Sequence, residues 1–317
     1  MYAVGVDIGG QTSKIGVVDA DGGILSRVVI RTDCYGTDAA AYLEALRGAI
    51  VSCLDSAGLQ IRDICGVGVG APNANYYNGC IEYAANIAWA STGVVPISEE
   101  LSSMLGGVRV VLTNDANAAA MGEMRYGVVK GCRDFIMITL GTGVGSGIVV
   151  DGRLVYGHDG NAGELGHIIV EPGGRPCGCG RRGCLETYCS ATGVAKTARE
   201  WIENTKEPSL LREADSISSK TVYEAAIRGD KMAVRIFEYT GEVLGRSLAN
   251  FVAFSAPEAI VLFGGLTKAR EFFYEPLVKT MNDNVMPIWR GKVRVLFSQL
   301  EESDAAILGA SALAWDL

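Results

Sequence analysis

One histidine and three cysteines, His167, Cys177, Cys179 and Cys184, fall within 18 positions of one another. Imidazole nitrogen and thiolate sulfur are the ligands of closed tetrahedral zinc sites, and four of them complete such a site. The chain has only two histidines, and one of them falls here. Carboxylates bracket the cluster, Glu164 ahead of His167 and Glu186 just after Cys184. A metal that pins a loop carrying carboxylates is one way to build a substrate pocket. Four protein ligands leave no open position on the ion, so the zinc is expected to be structural. A histidine bound through one nitrogen keeps the other for a neighbouring group or a ligand.

Three glycine turns follow three apolar runs: Asp7-Ile8-Gly9-Gly10, Leu140-Gly141-Thr142-Gly143 and Leu262-Phe263-Gly264-Gly265. Backbone amides in such turns approach phosphate oxygens with no Cβ in the way. Each turn alone reads more readily as a plain hairpin. Three in one chain, two of them with Thr12 or Thr142 nearby, point to a nucleotide clamp between domains. There is no Gly-x-x-x-x-Gly-Lys-Ser/Thr stretch, and residues 141–147 do not continue into a helical pattern, which excludes the two common phosphate-binding fingerprints. Asp7 either holds Mg²⁺ against phosphates, usually through water, or simply forms the turn. Asn114-Asp115-Ala116-Asn117 stands between an apolar run and an Ala-rich one. One of its polar residues is expected to cap a helix. A carboxylate at that junction, where α/β proteins place their ligands, can take the proton of an attacking hydroxyl.

These residues sit at the ends of elements readable from pattern. Residues 2–8, 14–19 and 24–31 are short strands, with a hairpin turn at Asp21-Gly22-Gly23. Residues 38–57 have helical spacing, with Leu43, Leu46, Ile50 and Leu54 on one side. Residues 64–69 and 108–112 are strands. The second half repeats the plan: strand 135–140, glycine turn, strand 147–150, an Asp151-Gly152 turn, and strand 153–156. This order matches residues 4–25 and argues for two related α/β domains. Residues 204–220 are polar and without period, a loop, and Thr221 to Glu224 reads as a capping box. Beyond Gly229 a long helix carries Ala233, Ile236, Phe237, Val243, Leu244, Leu248 and Phe251 on its apolar face. Residues 259–263 are a strand, and residues 304–313 a short Ala/Leu helix.

Composition narrows the function classes. The 41 glycines reflect tight turns and not disorder, because 49% of the 317 residues are hydrophobic. A net charge of -8 argues against a broad basic face for nucleic acid. No run reaches the roughly 20 apolar residues of a membrane span, and the N-terminus lacks the features of a signal peptide. The protein is expected in the cytoplasm, with no membrane partner. The remaining cysteines, Cys34, Cys53, Cys65, Cys80, Cys132 and Cys189, are then expected to be reduced thiols, and His158 a surface loop residue.

Taken together, the motifs resemble those of the ROK family, bacterial sugar kinases and repressors of the same fold. The resemblance rests on Asp7-Ile8-Gly9-Gly10, residues 114–119, residues 140–145, Glu164-Leu165-Gly166-His167 and residues 177–186, and it runs over about residues 3–313. It implies an α/β fold of the actin-like, hexokinase type (ribonuclease H-like), with two domains and a cleft between them. The smaller domain would comprise residues 1–116 plus the C-terminal helix at about 304–317; residues 117–303 would form the larger domain, with the zinc motif. Carried over by position, Asp115 is the general base. Asn86, Asn114, Glu164, His167 and Glu186 bind the sugar, and His167, Cys177, Cys179 and Cys184 hold Zn²⁺. Residues Asp7, Gly9, Gly10, Thr12, Gly141, Thr142, Gly143, Gly264 and Gly265 hold ATP with its Mg²⁺. Gly70-Ala71-Pro72-Asn73 and Asn86, with Trp89 nearby, resemble the sugar loops of family glucokinases. The family usually has Thr directly after Gly-Gly; here Gln11 intervenes, so the hydroxyl contact to phosphate passes to Thr12 or is lost.

The implied reaction is ATP-dependent phosphorylation of a hexose at its C6 hydroxyl, with glucose as the expected substrate. N-acetylmannosamine, fructose and allose are the alternatives. A sugar-responsive repressor would carry a DNA-binding domain ahead of the first phosphate motif, which here begins at Asp7. A homodimer is implied by analogy with the family.

Overall fold

In the computed structural model, which describes residues 1–315, the N-terminal apolar run is β1 (Tyr2–Ile8), central in a five-stranded sheet. β2 (Thr12–Val18) and β3 (Ile24–Arg31) return antiparallel beside it. Helix α1 (Ala39–Ser56) starts at Asp38, whose carboxylate accepts from the amide of Ala41 at 3.0 Å. Its Leu43, Leu46, Ile50 and Leu54 join the core formed with Val4, Val6 and Ile8. β4 (Ile64–Gly70) lies parallel to β1. A small sheet of β5 (Ala74–Asn75), β6 (Cys80–Glu82) and β7 (Val94–Val95) follows, then helix α2 (Ile97–Met104). β8 (Val110–Thr113) completes the order β3-β2-β1-β4-β8 and delivers the chain to α3 (Asp115–Tyr126).

The second sheet opens with β9 (Phe135–Leu140), β10 (Val144–Val150) and β11 (Arg153–Leu154), all antiparallel neighbours. The metal-motif excursion ends in α4 (Glu186–Cys189) and α5 (Ala191–Asn204). After α6 (Ser219–Ile227) and α7 (Lys231–Ser255), β12 (Ala259–Phe263) pairs parallel with β9. Helix α8 (Arg270–Asn284) leads to β13 (Arg294–Phe297), parallel to β12, and α9 (Glu302–Trp315) ends the described chain. The order β11-β10-β9-β12-β13 repeats the first sheet strand for strand. These two matching sheets make the actin-like, two-domain α/β fold.

Helix α9 lies directly on the first sheet, because the strands present glycines where it crosses. A Cβ on Gly5 would stand 2.1 Å from the carbonyl oxygen of Ile307, and one on Gly68 would stand 1.9 Å from that of Ala310. The chain end therefore returns to the sheet where it began. Positions 316 and 317 of the helix expected at about 304–317 lie outside the described residues.

Several elements differ from their sequence reading. β10 begins at Val144, earlier than residue 147, because Gly145 pairs with Thr139 and its amide donates to Thr139 Oγ1 at 3.1 Å. β11 stops at Leu154, short of residue 156. The capping box lies upstream of Thr221. Ser218 is the N-cap, its hydroxyl accepts from the amide of Thr221 at 3.1 Å, and Thr221 Oγ1 accepts from the amide of Ser218 at 2.8 Å. Helices α5 and α8 were not foreseen; α8 holds Pro276 internally yet buries Phe273, Leu277 and Met281 at four-residue spacing.

Candidate active site

Asp7 is the next-to-last residue of β1, paired with Lys14 on β2 and beside Gly70 on β4. Burial pushes its carboxyl up to about 6, against the pull of Lys14; Asp115 adds a smaller push. Asp115 is the first residue of α3, just past β8. It keeps open surface toward the cleft while protein encloses its other sides, so desolvation raises its carboxyl above the ordinary range. The amide of Ala116, donating to Oδ1 at 2.8 Å, pulls it back down. Asn114 is the helix cap, its Oδ1 accepting from the amide of Asn117 at 2.7 Å. Its side-chain NH₂ makes no hydrogen bond among the described residues.

A cavity of about 210 Å³ joins these groups, lined by Asp7, Gly70 and Asp115 from the first sheet's side and by Thr139 and Phe263 from the second. Thr139 was not singled out from sequence. Its signal lies in the internal repeat, since Thr139 precedes Gly141 by the same step as Asp7 precedes Gly9.

The first glycine turn is closed by the Gly9 amide donating to Thr12 O at 3.0 Å. Gly10 packs against the Asn86 backbone, where a Cβ would stand 2.6 Å from the carbonyl oxygen, so this turn touches the exposed Asn86 loop. Thr12 begins β2, and its hydroxyl has no partner among the described residues. The second turn is stitched to the start of α5: the Ala191 amide donates to Gly141 O at 2.8 Å and Thr192 Oγ1 to Thr142 O at 2.9 Å. Gly264 has φ 104°, and a Cβ there would lie 2.7 Å from Leu140 O, so only glycine brings the third turn against the second. Gly141, Thr142 and Gly265 share a cavity of about 360 Å³ with Ser219, Lys220, Tyr223 and Leu266. That volume is in the range of small-ligand pockets. Ser219 and Lys220 fall in the stretch read as a loop, where no local pattern marks them.

The metal cluster assembles from both ends of its loop. Donor atoms of His167, Cys177, Cys179 and Cys184 all lie within 4.8 Å of one another. Cys179 Sγ and Cys184 Sγ are 3.6 Å apart, as are Cys177 Sγ and His167 Nδ1. Tetrahedral zinc with bonds near 2.3 Å sets its sulfurs about 3.8 Å apart, so this donor set fits the ion. Glu186 touches the cluster, its Oε1 accepting from Cys177 Sγ at 2.9 Å and lying 3.7 Å from His167 Nδ1. It also reaches the second glycine turn, since a Cβ on Gly143 would stand 2.7 Å from Oε2. Glu164 is steadied through its neighbours: the Leu165 amide donates to Ser146 Oγ at 3.0 Å, and that hydroxyl donates to Gly163 O. Burial raises the Glu164 carboxyl; His167 lowers it, and Asp115 and then Glu186 raise it further. Glu164, His167, Glu186 and Asp115 therefore belong to one electrostatic neighbourhood.

Outside the site, Cys34, Cys53, Cys65, Cys80, Cys132 and Cys189 are free thiols and His158 is exposed. Among the described residues no helix is long and apolar enough to cross a membrane.

Comparison with known proteins adds a separate line. Residues 3–316 match the ROK family. The glucokinase of Thermotoga maritima is 34% identical over 98% of this chain and 96% of its own length. That of Halalkalibacterium halodurans is 37% identical over 90% of this chain and 87% of its own. A solved ROK family glucokinase from Streptomyces griseus, in complex with glucose and AMPPNP, is similar with a TM-score of 0.79 and 34% identity, all of both chains being covered.

Proposed function

The chain belongs to the ROK family, and on that premise we propose that it is an ATP-dependent sugar kinase that phosphorylates glucose at the C6 hydroxyl. The observation that carries this reading is the placement of Asp115. It lies on a cavity shared with Asp7 and Thr139, and within electrostatic reach of Glu164 beside the metal cluster. Asp115 thus stands between the strand ends that lead into two glycine turns and the carboxylates beside the metal cluster.

Asp115 takes the proton from the C6 hydroxyl as that oxygen bonds to the γ-phosphorus of ATP. The bond from the γ-phosphorus to its bridging oxygen breaks, and ADP leaves with the electron pair. A carboxyl raised by burial is a stronger base once ionised, which suits this step. Asn114, whose oxygen is committed to the cap, offers its NH₂ to a sugar hydroxyl. Glu164, Glu186 and the free nitrogen of His167 accept from or donate to the others, and Asn86 closes the pocket beside Gly10. The amides of Gly10 and Gly143, with the hydroxyls of Thr12 and Thr142, receive the phosphates, while the Gly9 and Gly141 amides shape the two turns by donating to Thr12 O and Gly143 O. Gly264 and Gly265 shape the nucleoside end.

Mg²⁺, when bound with ATP, neutralises phosphate charge, and Asp7 beside Asp115 is the carboxylate set for it. Zinc on His167, Cys177, Cys179 and Cys184 fixes the loop geometry of Glu164 and Glu186. Residues 1–116 with 304–315 are taken as one lobe and residues 117–303 as the other; their closure excludes water, the competing nucleophile. A homodimer in the cytoplasm completes the reading. An ADP-release assay across hexoses and amino sugars tests it. Glucose should show the highest kcat/KM. A faster N-acetylmannosamine, fructose or allose reassigns the substrate, and no ADP release with any sugar overturns the reading.

A further inference from the structure

Arg175 stands at the entrance to the metal loop, two residues before Cys177, yet only 8% of its side chain is exposed. Its guanidinium has no donor to spare. Nε donates to both oxygens of Glu200 at 3.0 and 3.1 Å. Nη1 donates to Thr187 O at 2.7 Å and Gly193 O at 3.4 Å. Nη2 donates to Thr197 Oγ1 at 2.9 Å and Glu200 Oε2 at 2.5 Å. All five N–H groups of the fork are engaged. The group also lies 4.4 Å from the centroid of the Tyr188 ring, whose hydroxyl accepts from the Arg175 amide at 3.1 Å. The Arg175 carbonyl accepts from the Gly183 amide at 2.8 Å, which ties the two arms of the metal loop together.

One of these contacts reaches the sugar wall directly. Thr187 follows Glu186 in sequence, and its carbonyl is held by Nη1 while its hydroxyl donates to Cys184 O at 2.7 Å. Glu186 begins α4, an element of only four residues, too short to hold its own position. The four metal ligands fix the loop from one side. On the other, the guanidinium fastens the loop and the residue after Glu186 to helix α5.

We propose that Arg175 is a positioning residue that holds Glu186 in the sugar pocket by clamping the metal loop to α5, independently of the metal. The inference rests on the sugar-kinase reading. Lysine cannot take the role, since a point charge satisfies Glu200 but not two carbonyls and a hydroxyl together. Glu200 is 40% exposed and can hydrate when the guanidinium is removed.

The test compares wild type, Arg175→Met, Arg175→Lys and Glu200→Gln as purified zinc-loaded enzymes. The expected result for Arg175→Met is a sugar KM raised about tenfold, with kcat within about threefold and the ATP KM unchanged, as befits lost ground-state positioning. Zinc per chain, released by thiol blocking and read with a metallochromic dye, should stay at the wild-type level in every variant. Arg175→Lys should recover the thermal midpoint but not the sugar KM. Glu200→Gln, an isosteric change at an exposed partner, should raise the sugar KM by a smaller factor, and it decides the matter if Arg175→Met does not fold. An unchanged sugar KM in folded Arg175→Met, or in Glu200→Gln should the former not fold, overturns the proposal. So does loss of zinc from a folded variant. A wild type inactive on every sugar defeats the kinase reading instead, and the zinc measurement still reports on the clamp.

Discussion

One residue before the end of β1 the first sheet carries Asp7; at the same place in the second sheet, one residue before the end of β9, stands Thr139. Both precede a glycine turn, both have an antiparallel partner across the hairpin, and both line one cavity. Lys14 faces Asp7, whereas Gly145 faces Thr139 and donates its amide to the threonine hydroxyl. The last strands differ in the same sense. β8 runs into Asn114 and Asp115, but β13 runs into Ser298, whose hydroxyl is committed to Glu123. A repeated hairpin thus supplies two backbone cradles, while charge gathers on one side only. The first sheet holds both carboxylates of the cavity, and the second presents neutral groups. Phosphate chemistry benefits from that asymmetry, because a cation can sit by the acids without a competing carboxylate opposite.

The largest test of this contrast is Asp115→Asn. It should lower kcat by about 10²–10⁴ while glucose affinity, measured by calorimetry, stays near wild type. A variant that keeps its turnover removes Asp115 from the chemistry and with it the distinction between the two sheets. For the intact enzyme, the acid limb of kcat against pH should lie above the ordinary carboxylate range, since burial raises both Asp115 and Asp7.

Asp7→Asn should come next, lowering kcat by about tenfold or more and raising the Mg²⁺ concentration needed for half-maximal rate. The same change should stabilise the fold. The Asp7 carboxyl titrates at about 6 in the folded protein and near 3.9 when unfolded. Between those values the native state holds a proton that the unfolded chain has lost, so stability falls as pH rises through the window. Above it the whole penalty stands. Asparagine has no charge to desolvate, so metal-free urea unfolding at pH 8 should show a gain of roughly 1–3 kcal/mol, fading toward pH 4. Equal stability of the two proteins at pH 8 would contradict the burial cost assigned to Asp7.

Thr139→Val should have the smallest effect. It removes one acceptor for the Gly145 amide, worth about 0.5–1.5 kcal/mol in unfolding, and should change kcat/KM by less than about tenfold. A loss matching that of Asp7→Asn would make the two strand ends chemical equals and erase the comparison.

Much of this was legible from residue type and short spacing. Cys177, Cys179 and Cys184 lie in one loop, and His167 joins them through the Ile169–Cys184 bridge at the loop's neck. The helix cap at Asn114 and the Asp151-Gly152 turn, with φ of 52° and 74°, follow from local preferences. The start of β10 was hidden by its own glycines, which a strand tolerates here because Ala116 packs where Cβ atoms would stand. Helix α8 was masked by Pro276, and its three buried residues find their meaning only against α7. No local pattern marks Arg175, because the partners of its guanidinium lie 12 to 25 positions away.

Sequence by itself determined the His/Cys cluster, the three glycine turns, the repeated strand plan and the candidate base, because each depends on the identity of residues a few positions apart. Only the tertiary structure decided that Asp7 and Asp115 are desolvated together, that Thr139 answers Asp7 across the cavity, and that Glu200 spends its carboxylate on Arg175. Desolvation and hydrogen-bond geometry arise from groups far apart along the chain, and they acquire values only when packing brings those groups within a few ångströms.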